Sequence, residues 1–353
     1  MKIKKHLLLL SITILALASC NKDDGGSSSV SERDRTEQQL ADKDSLMLYF
    51  ETHYYNSTQL AEPGDHSIYD IQINELPKDE DGNYLEMPEP ENNTMLIDAL
   101  LDGTIETHTT TYQDTEYEYY VLRLNQGGGE DMPFFSNDVR VNYIGTLIDD
   151  DEMFDSTVNP TDFDLLNLIQ AWREVLPQFN TAASFSSNGD GTYSYSDYGF
   201  GVMFIPSGLG YFSSATTGVP AYSNLVFKFE LYQTGINDHD SDGVPTHLED
   251  LDGDKNLYSD DTDGDGVPNF LDVDDDGDGV LTIDELIPTT YTVNTNIGET
   301  EPVLAENEYE RSRSESNGII TINTVTVADS NDDDIPDYLD ENITINYNED
   351  EED

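Results

Sequence analysis

Acidic residues crowd the stretch from Asp238 to Glu285, and Lys255 is its only Lys or Arg. Such a segment cannot bury an ordinary apolar core. Its charges are either solvated along a disordered chain or neutralised by cations. The spacing decides between those outcomes. Asp238, Asp240 and Asp242 alternate before Gly243, and Glu249 stands twelfth from Asp238. Asp261, Asp263, Asp265, Gly266 and Asp272 repeat the pattern, as do Asp274, Asp276, Asp278, Gly279 and Glu285. In this register alternate oxygens converge on one ion, glycine permits the sharp turn, and the twelfth carboxylate closes the shell. That is calcium-loop spacing. A degenerate copy runs from Asp329 through Asn331 and Asp333 to Asp340, with Asp334 where glycine is expected. Calcium bound here would be structural, because its binding free energy would be folding free energy.

The whole chain carries 74 acidic and 15 basic residues, a formal net charge of −59. Phosphate backbones and anionic headgroups would repel it, which excludes nucleic acid as a partner. The N-terminus has a different character. Lys2, Lys4 and Lys5 precede an apolar run from Leu7 to Ala18, the length of a signal-peptide core and too short to span a bilayer. Leu17-Ala18-Ser19-Cys20 resembles the lipobox of bacterial lipoproteins, and Cys20 is the only cysteine. The resemblance implies that residues 1–19 are removed and Cys20 is acylated, leaving a body held at the outer membrane by its acyl chains. Asn21-Lys22-Asp23-Asp24 is similar to the surface-export signal of Bacteroidetes lipoproteins, so the expected location is the cell surface or the periplasmic face.

Composition divides the remainder. Residues 20–43 read as a flexible polar tether around Gly25-Gly26-Ser27-Ser28-Ser29. Residues 44–118 form an N-terminal extension, in which Ser45–Phe50 is a short helix or strand and residues 62–93 are a surface excursion. Residues 119–234 form the next domain, and strand-like runs then dominate, at Tyr117–Leu124, Val139–Leu147, Gly201–Ile205 and Leu225–Tyr232. Between them, Leu165, Leu168, Ile169, Trp172 and Leu176 recur at helical spacing within Phe163–Phe179. The expected fold class is α+β, an antiparallel sheet wrapped on one short helix. Residues 238–285 are the acidic repeats, and residues 286–353 are a β-type tail with the degenerate repeat.

Residues 119–234 also resemble the FKBP family of peptidyl-prolyl cis-trans isomerases. Val139-Arg140-Val141-Asn142-Tyr143-Ile144-Gly145-Thr146-Leu147 is similar to the family's central strand, and Phe154-Asp155-Ser156 to its Phe-Asp-Ser turn. Leu168-Ile169-Gln170-Ala171-Trp172, Phe204 to Tyr211, and Val219-Pro220 through Leu231 follow in family order. The resemblance places Trp172 beneath the substrate proline, with Tyr143, Phe154, Phe163, Leu168, Ile169 and Phe227 as walls. It gives the Ile169 N–H and the Tyr211 hydroxyl to substrate carbonyls, and Asp155 to orienting the site. No cofactor serves catalysis, and the partners are proline-containing polypeptides. Ala171 and Phe212 depart from the family's glycines, and the Ser/Gly/Tyr-rich insertion Thr181–Gly199 either folds over the cleft or extends a hairpin.

The Gly-Val-Pro and Ile-Pro turns after the acidic ladders, at Gly243, Gly266 and Asp334, resemble thrombospondin type 3 repeats. Proline at that point disfavours an EF-hand helix pair. The expected function is an envelope prolyl isomerase for exported proteins. The alternative is a non-catalytic FKBP-like binding or adhesion lipoprotein stiffened by calcium.

Overall fold

The computed structural model describes residues 32–348. The leader, Cys20, most of the tether and the last acidic residues lie outside them. Helix α1, Arg35–Thr52, begins inside the segment whose composition reads as tether. It leads into a small sheet of β1 (His53–Tyr55), β2 (Ile73–Glu75) and β3 (Thr94–Met95), with short helices α2 (Ser57–Leu60) and α3 (Leu96–Leu101). The main sheet has seven strands: β4 (Ile105–Tyr112), β5 (Thr115–Asn125), β6 (Asp138–Leu147), β7 (Met153–Ser156), β8 (Thr161–Asp164), β11 (Gly199–Ile205) and β12 (Leu225–Gly235). Its order is β4-β5-β11-β12-β6-β7, with β8 also paired to β6, and the pairs are antiparallel.

The four strand-like runs of the sequence are the four central strands. The helix is shorter than its periodicity predicts. Phe163 lies in β8, Leu168 is extended, and only α4, Gln170–Val175, is α-helical. Apolar spacing over Phe163–Phe179 therefore reflects one buried face shared by a strand, two 3₁₀ turns and a helix. The insertion forms the hairpin β9 (Ser184–Ser187) and β10 (Tyr193–Ser196).

Both faces of the main sheet are covered. Alternation along β5 sends Tyr117, Tyr119 and Val121 to the α4 side, and Tyr120 and Leu122 to the other. On that second side Leu46, Tyr49 and Phe50 of α1 pack with Leu96, Phe204 and Val226. Strand β11 is buried at every position, as a strand covered on both faces should be. The N-terminal extension thus covers the second face of the sheet. Asp42 of α1 is 2% exposed, and its Oδ2 accepts from the Ser207 N–H at 2.9 Å and the Ser207 hydroxyl at 2.6 Å.

Beyond Gly235 the chain is built from loops. Gly243 N–H donates to Asp238 at 3.1 Å and Gly266 N–H to Asp261 at 3.1 Å. Both glycines have φ near +100° (+103° and +98°), which side chains rarely adopt. The chain closes with β13 (Leu286–Asn294), β14 (Glu308–Ser316) and β15 (Ile319–Val327), an antiparallel sheet ordered β13-β15-β14. Val244 of the first loop, Leu286, Val325 and Tyr338 of the last loop make one small core. The acidic loops and the β-type tail are therefore packed together. No helix among the described residues is long and apolar enough to cross a membrane.

Candidate functional site

A cavity of about 250 Å³ opens between α4 and the concave side of the main sheet. Trp172, on α4 and 4% exposed, forms its floor. The ring of Phe227, from β12, lies 5.0 Å from the indole, and that of Tyr143, from β6, meets it edge-on at 5.5 Å. Phe163, Leu168 and Ile169 complete the apolar wall, and Tyr211 and Asp155 stand at its rim. Val141 and Asn167 also line it, although neither was among the expected walls. Phe154, expected as a wall, packs its ring edge-on against Phe227 at 5.6 Å. Gly145 makes that packing possible. A Cβ there would lie 2.7 Å from both the Phe154 and Phe227 rings.

The polar groups are few and oriented. The Tyr143 hydroxyl donates to Asp155 Oδ2 at 2.5 Å, while Ser156 N–H donates to Asp155 Oδ1 at 2.9 Å. Burial, reinforced by the Asp155 carboxylate, pushes the Tyr143 phenol well above its ordinary value. Tyr211 is raised by the same two causes in the same order. Both hydroxyls are therefore proton donors at neutral pH. Ile169 caps α4 in an extended conformation (φ −61°, ψ 152°), so its N–H stands outside the helix's own ladder. The arrangement offers an apolar slot and hydrogen-bond donors at its edge. It can hold a small ring and orient the amide beside it.

The acidic loops make a second candidate site. One carboxylate oxygen from each member lies within 4.8 Å of the others in the groups Asp238/Asp240/Asp242, Asp261/Asp263/Asp265 and Asp274/Asp276/Asp278. The twelfth-position acids behave differently from one another. Glu249 is fully buried and joins Asp242 and Asp275, a residue that lies between the alternating ladder positions. Glu285 is 1% exposed and lies outside those groups. Asp272 instead accepts from the N–H groups of Val273 at 2.8 Å and Asp274 at 3.1 Å. A further group, Asp250/Asp252/Asp260, has Lys255 where the other loops have glycine and escaped the spacing.

Both side-chain oxygens of Glu249, Glu285 and Asp275 are buried without a hydrogen-bond partner, as is Oδ2 of Asp240, Asp242, Asp276 and Asp278. Burial, then the neighbouring charges, pushes the carboxyls of Glu249 up to about 10, Asp242 to about 9, Glu285 to about 9 and Asp275 to about 8. Orphaned carboxylate oxygens in this number fit a hard, oxygen-coordinated divalent cation, which would neutralise the charge they share.

Comparison with known proteins gives three findings. Residues 239–311 match the family model described as BamM C-terminal, which spans the acidic loops and the start of the β-type tail. A peptidyl-prolyl cis-trans isomerase from Pseudomonas syringae pv. tomato is 24% identical, over 33% of this chain and 75% of that one, with a TM-score of 0.27. FkpA from Escherichia coli is 26% identical, over 39% of this chain and 56% of that one, with a TM-score of 0.28. No curated protein matches the chain.

Proposed function

We propose that this chain is an FKBP-type peptidyl-prolyl cis-trans isomerase acting on exported proteins at the outer membrane, with structural calcium in its acidic loops. The observation that carries the reading is the cleft. Trp172, Tyr143, Phe227 and the Leu168-Ile169 corner enclose an apolar slot with donors at its rim. Rotation about an X–Pro bond needs neither nucleophile nor proton transfer. It must lose amide resonance, against a barrier of roughly 20 kcal/mol. Water stabilises the charge-separated planar amide, so a dry slot that fits the twisted amide better lowers the barrier.

In this reading the proline ring rests on the indole of Trp172. The Ile169 N–H and the Tyr211 hydroxyl donate to substrate carbonyls. The Tyr143–Asp155 bond holds the carboxylate at the rim, where it meets the rotating carbonyl. The N-terminal lipoprotein reading and the BamM C-terminal match of residues 239–311 support the outer-membrane location. Calcium would be held by Asp238, Asp240, Asp242, Glu249 and Asp275, and by the ladders at Asp261 and Asp274.

A second reading, a gripping domain without useful turnover, draws on the turn after Tyr211. Phe212 holds φ +47° there, and the Arg35 guanidinium lies 4.0 Å above its ring. That turn tethers Tyr211 to the N-terminal helix. Asp155→Ala separates the readings when peptide binding and cis/trans exchange are measured together. The isomerase loses rate and keeps binding. Unchanged exchange in this variant overturns the role given to the carboxylate.

A further inference from the structure

The loop from Asp250 to Asp261 repeats the ladder with one change. Asp250, Asp252 and Asp254 alternate, but Lys255 stands where Gly243 and Gly266 stand in their loops. The backbone nonetheless makes the same turn. Lys255 holds φ +64°, and its N–H donates to both Asp250 oxygens at 3.1 Å. Asp250, Asp252 and Asp260 each bring a carboxylate oxygen within 4.8 Å of the others. Asp260 is 7% exposed, and its Oδ2 is buried without a hydrogen-bond partner.

A side chain in the left-handed region is retained against a steric penalty that glycine would remove. The contacts of Lys255 give the reason. Its carbonyl accepts from Arg173 Nη2 at 2.5 Å, and its ammonium pairs with Glu174 Oε2 at 2.7 Å. Glu174 is 6% exposed, and its other oxygen accepts from Gln170 at 2.8 Å. Gln170, Arg173 and Glu174 are on α4, the helix that carries Trp172. Leu257 and Phe270 pack on Phe135 and Leu166 beside it. One acidic loop therefore grips the back of the helix whose front is the cleft floor.

We propose that Asp250, Asp252 and Asp260 form a further calcium site, and that its occupancy is coupled to the cleft through the Lys255 contacts with Arg173 and Glu174. The proposal rests on the reading of the acidic loops as calcium sites. With the ion bound, the turn is closed and Lys255 is held against α4. Without it, three clustered carboxylates repel, the turn loosens, and the helix loses an ion pair and a hydrogen bond behind Trp172. A ligand that favours one state of a packed element biases whatever else that element carries.

The test uses the full chain, calcium titrations by calorimetry, and the emission of Trp172, the only tryptophan. Wild type is expected to bind calcium with a change in Trp172 emission. Asp260→Asn is expected to lose one calcium equivalent and that emission change. Lys255→Met is expected to keep the equivalent and lose the emission change. An Asp260→Asn chain with undiminished stoichiometry, or a Lys255→Met chain with the full response, overturns the proposal while other loops still bind. Absence of calcium binding by wild type overturns the calcium reading itself. Absence of isomerase activity bears only on the cleft's chemistry, because Trp172 emission reports the coupling without turnover.

Discussion

Replacing Asp42 with alanine tests whether the N-terminal helix is part of the site's framework. The Asp42 carboxylate accepts from Gln38 Nε2 at 2.6 Å, the Ser207 hydroxyl at 2.6 Å and the Ser207 N–H at 2.9 Å. Ser207 opens the turn that ends at Tyr211. Hydrogen bonds to a carboxylate contribute about 1.5–3 kcal/mol each, which would sum to several kcal/mol. The sum overstates the loss. The Ser207 N–H keeps Asn224 Oδ1 at 3.0 Å, and the serine and glutamine side chains can turn toward other acceptors. The expected net destabilisation is about 3 kcal/mol, the size of one to two such bonds lost without replacement. Urea unfolding followed by Trp172 emission, in calcium throughout, is the assay. With a slope of about 2–3 kcal/mol/M the midpoint should fall by roughly 1 M. A shift below about 0.2 M, the range of an ordinary surface substitution, would refute the claim that α1 holds the Tyr211 turn.

Gly145→Ala would push a methyl group into the Phe154 and Phe227 rings, both 2.7 Å away. Overpacking of this kind destabilises by about 1–3 kcal/mol, and calorimetric peptide affinity should fall with it. Because Tyr143 and Tyr211 are both raised, they remain donors where free tyrosine ionises near pH 10, so peptide affinity should be flat from neutral to about pH 10. An affinity that falls with an apparent pKa below about 9 contradicts this. Glu249 is held at about 10 by burial first, then by Asp242 and Asp240. Its folded value exceeds the unfolded one, so its contribution to metal-free stability is full below about pH 4 and lost as pH rises through the folded value. Glu249→Gln should therefore raise the melting temperature in chelator at pH 8 and shrink the gain on adding calcium. That gain is about 2.7 kcal/mol for one site at a hundredfold excess over Kd. An unchanged calcium gain, read by calorimetry, removes Glu249 from the site.

Much of the cleft was legible because its residues are tied to short patterns. Tyr143 lies on a strand whose alternation is plain, and Trp172 and Ile169 are fixed by the helix they begin. The motif gave the neighbourhood of Phe154, and the fold supplies its edge-on contact with Phe227. The opposite face of the sheet was illegible. Helix α1 buries Gln38, Gln39 and Asp42 among its apolar residues, so its polar composition reads as tether. Its docking depends on Asp42 meeting Ser207, far away in sequence. The acidic loops divided in the same way. Loops with glycine at the turn announce themselves, whereas the loop at Asp250 hides behind Lys255. Asp275 reaches Glu249 only through the fold.

NMR exchange between the cis and trans forms of a short X–Pro peptide, with and without the full chain, puts the isomerase reading to the test. Wild type is expected to accelerate the exchange, and Phe154→Ala to lose that acceleration while its Trp172 emission remains native. A folded wild-type chain that leaves the exchange at its uncatalysed rate would contradict the isomerase reading.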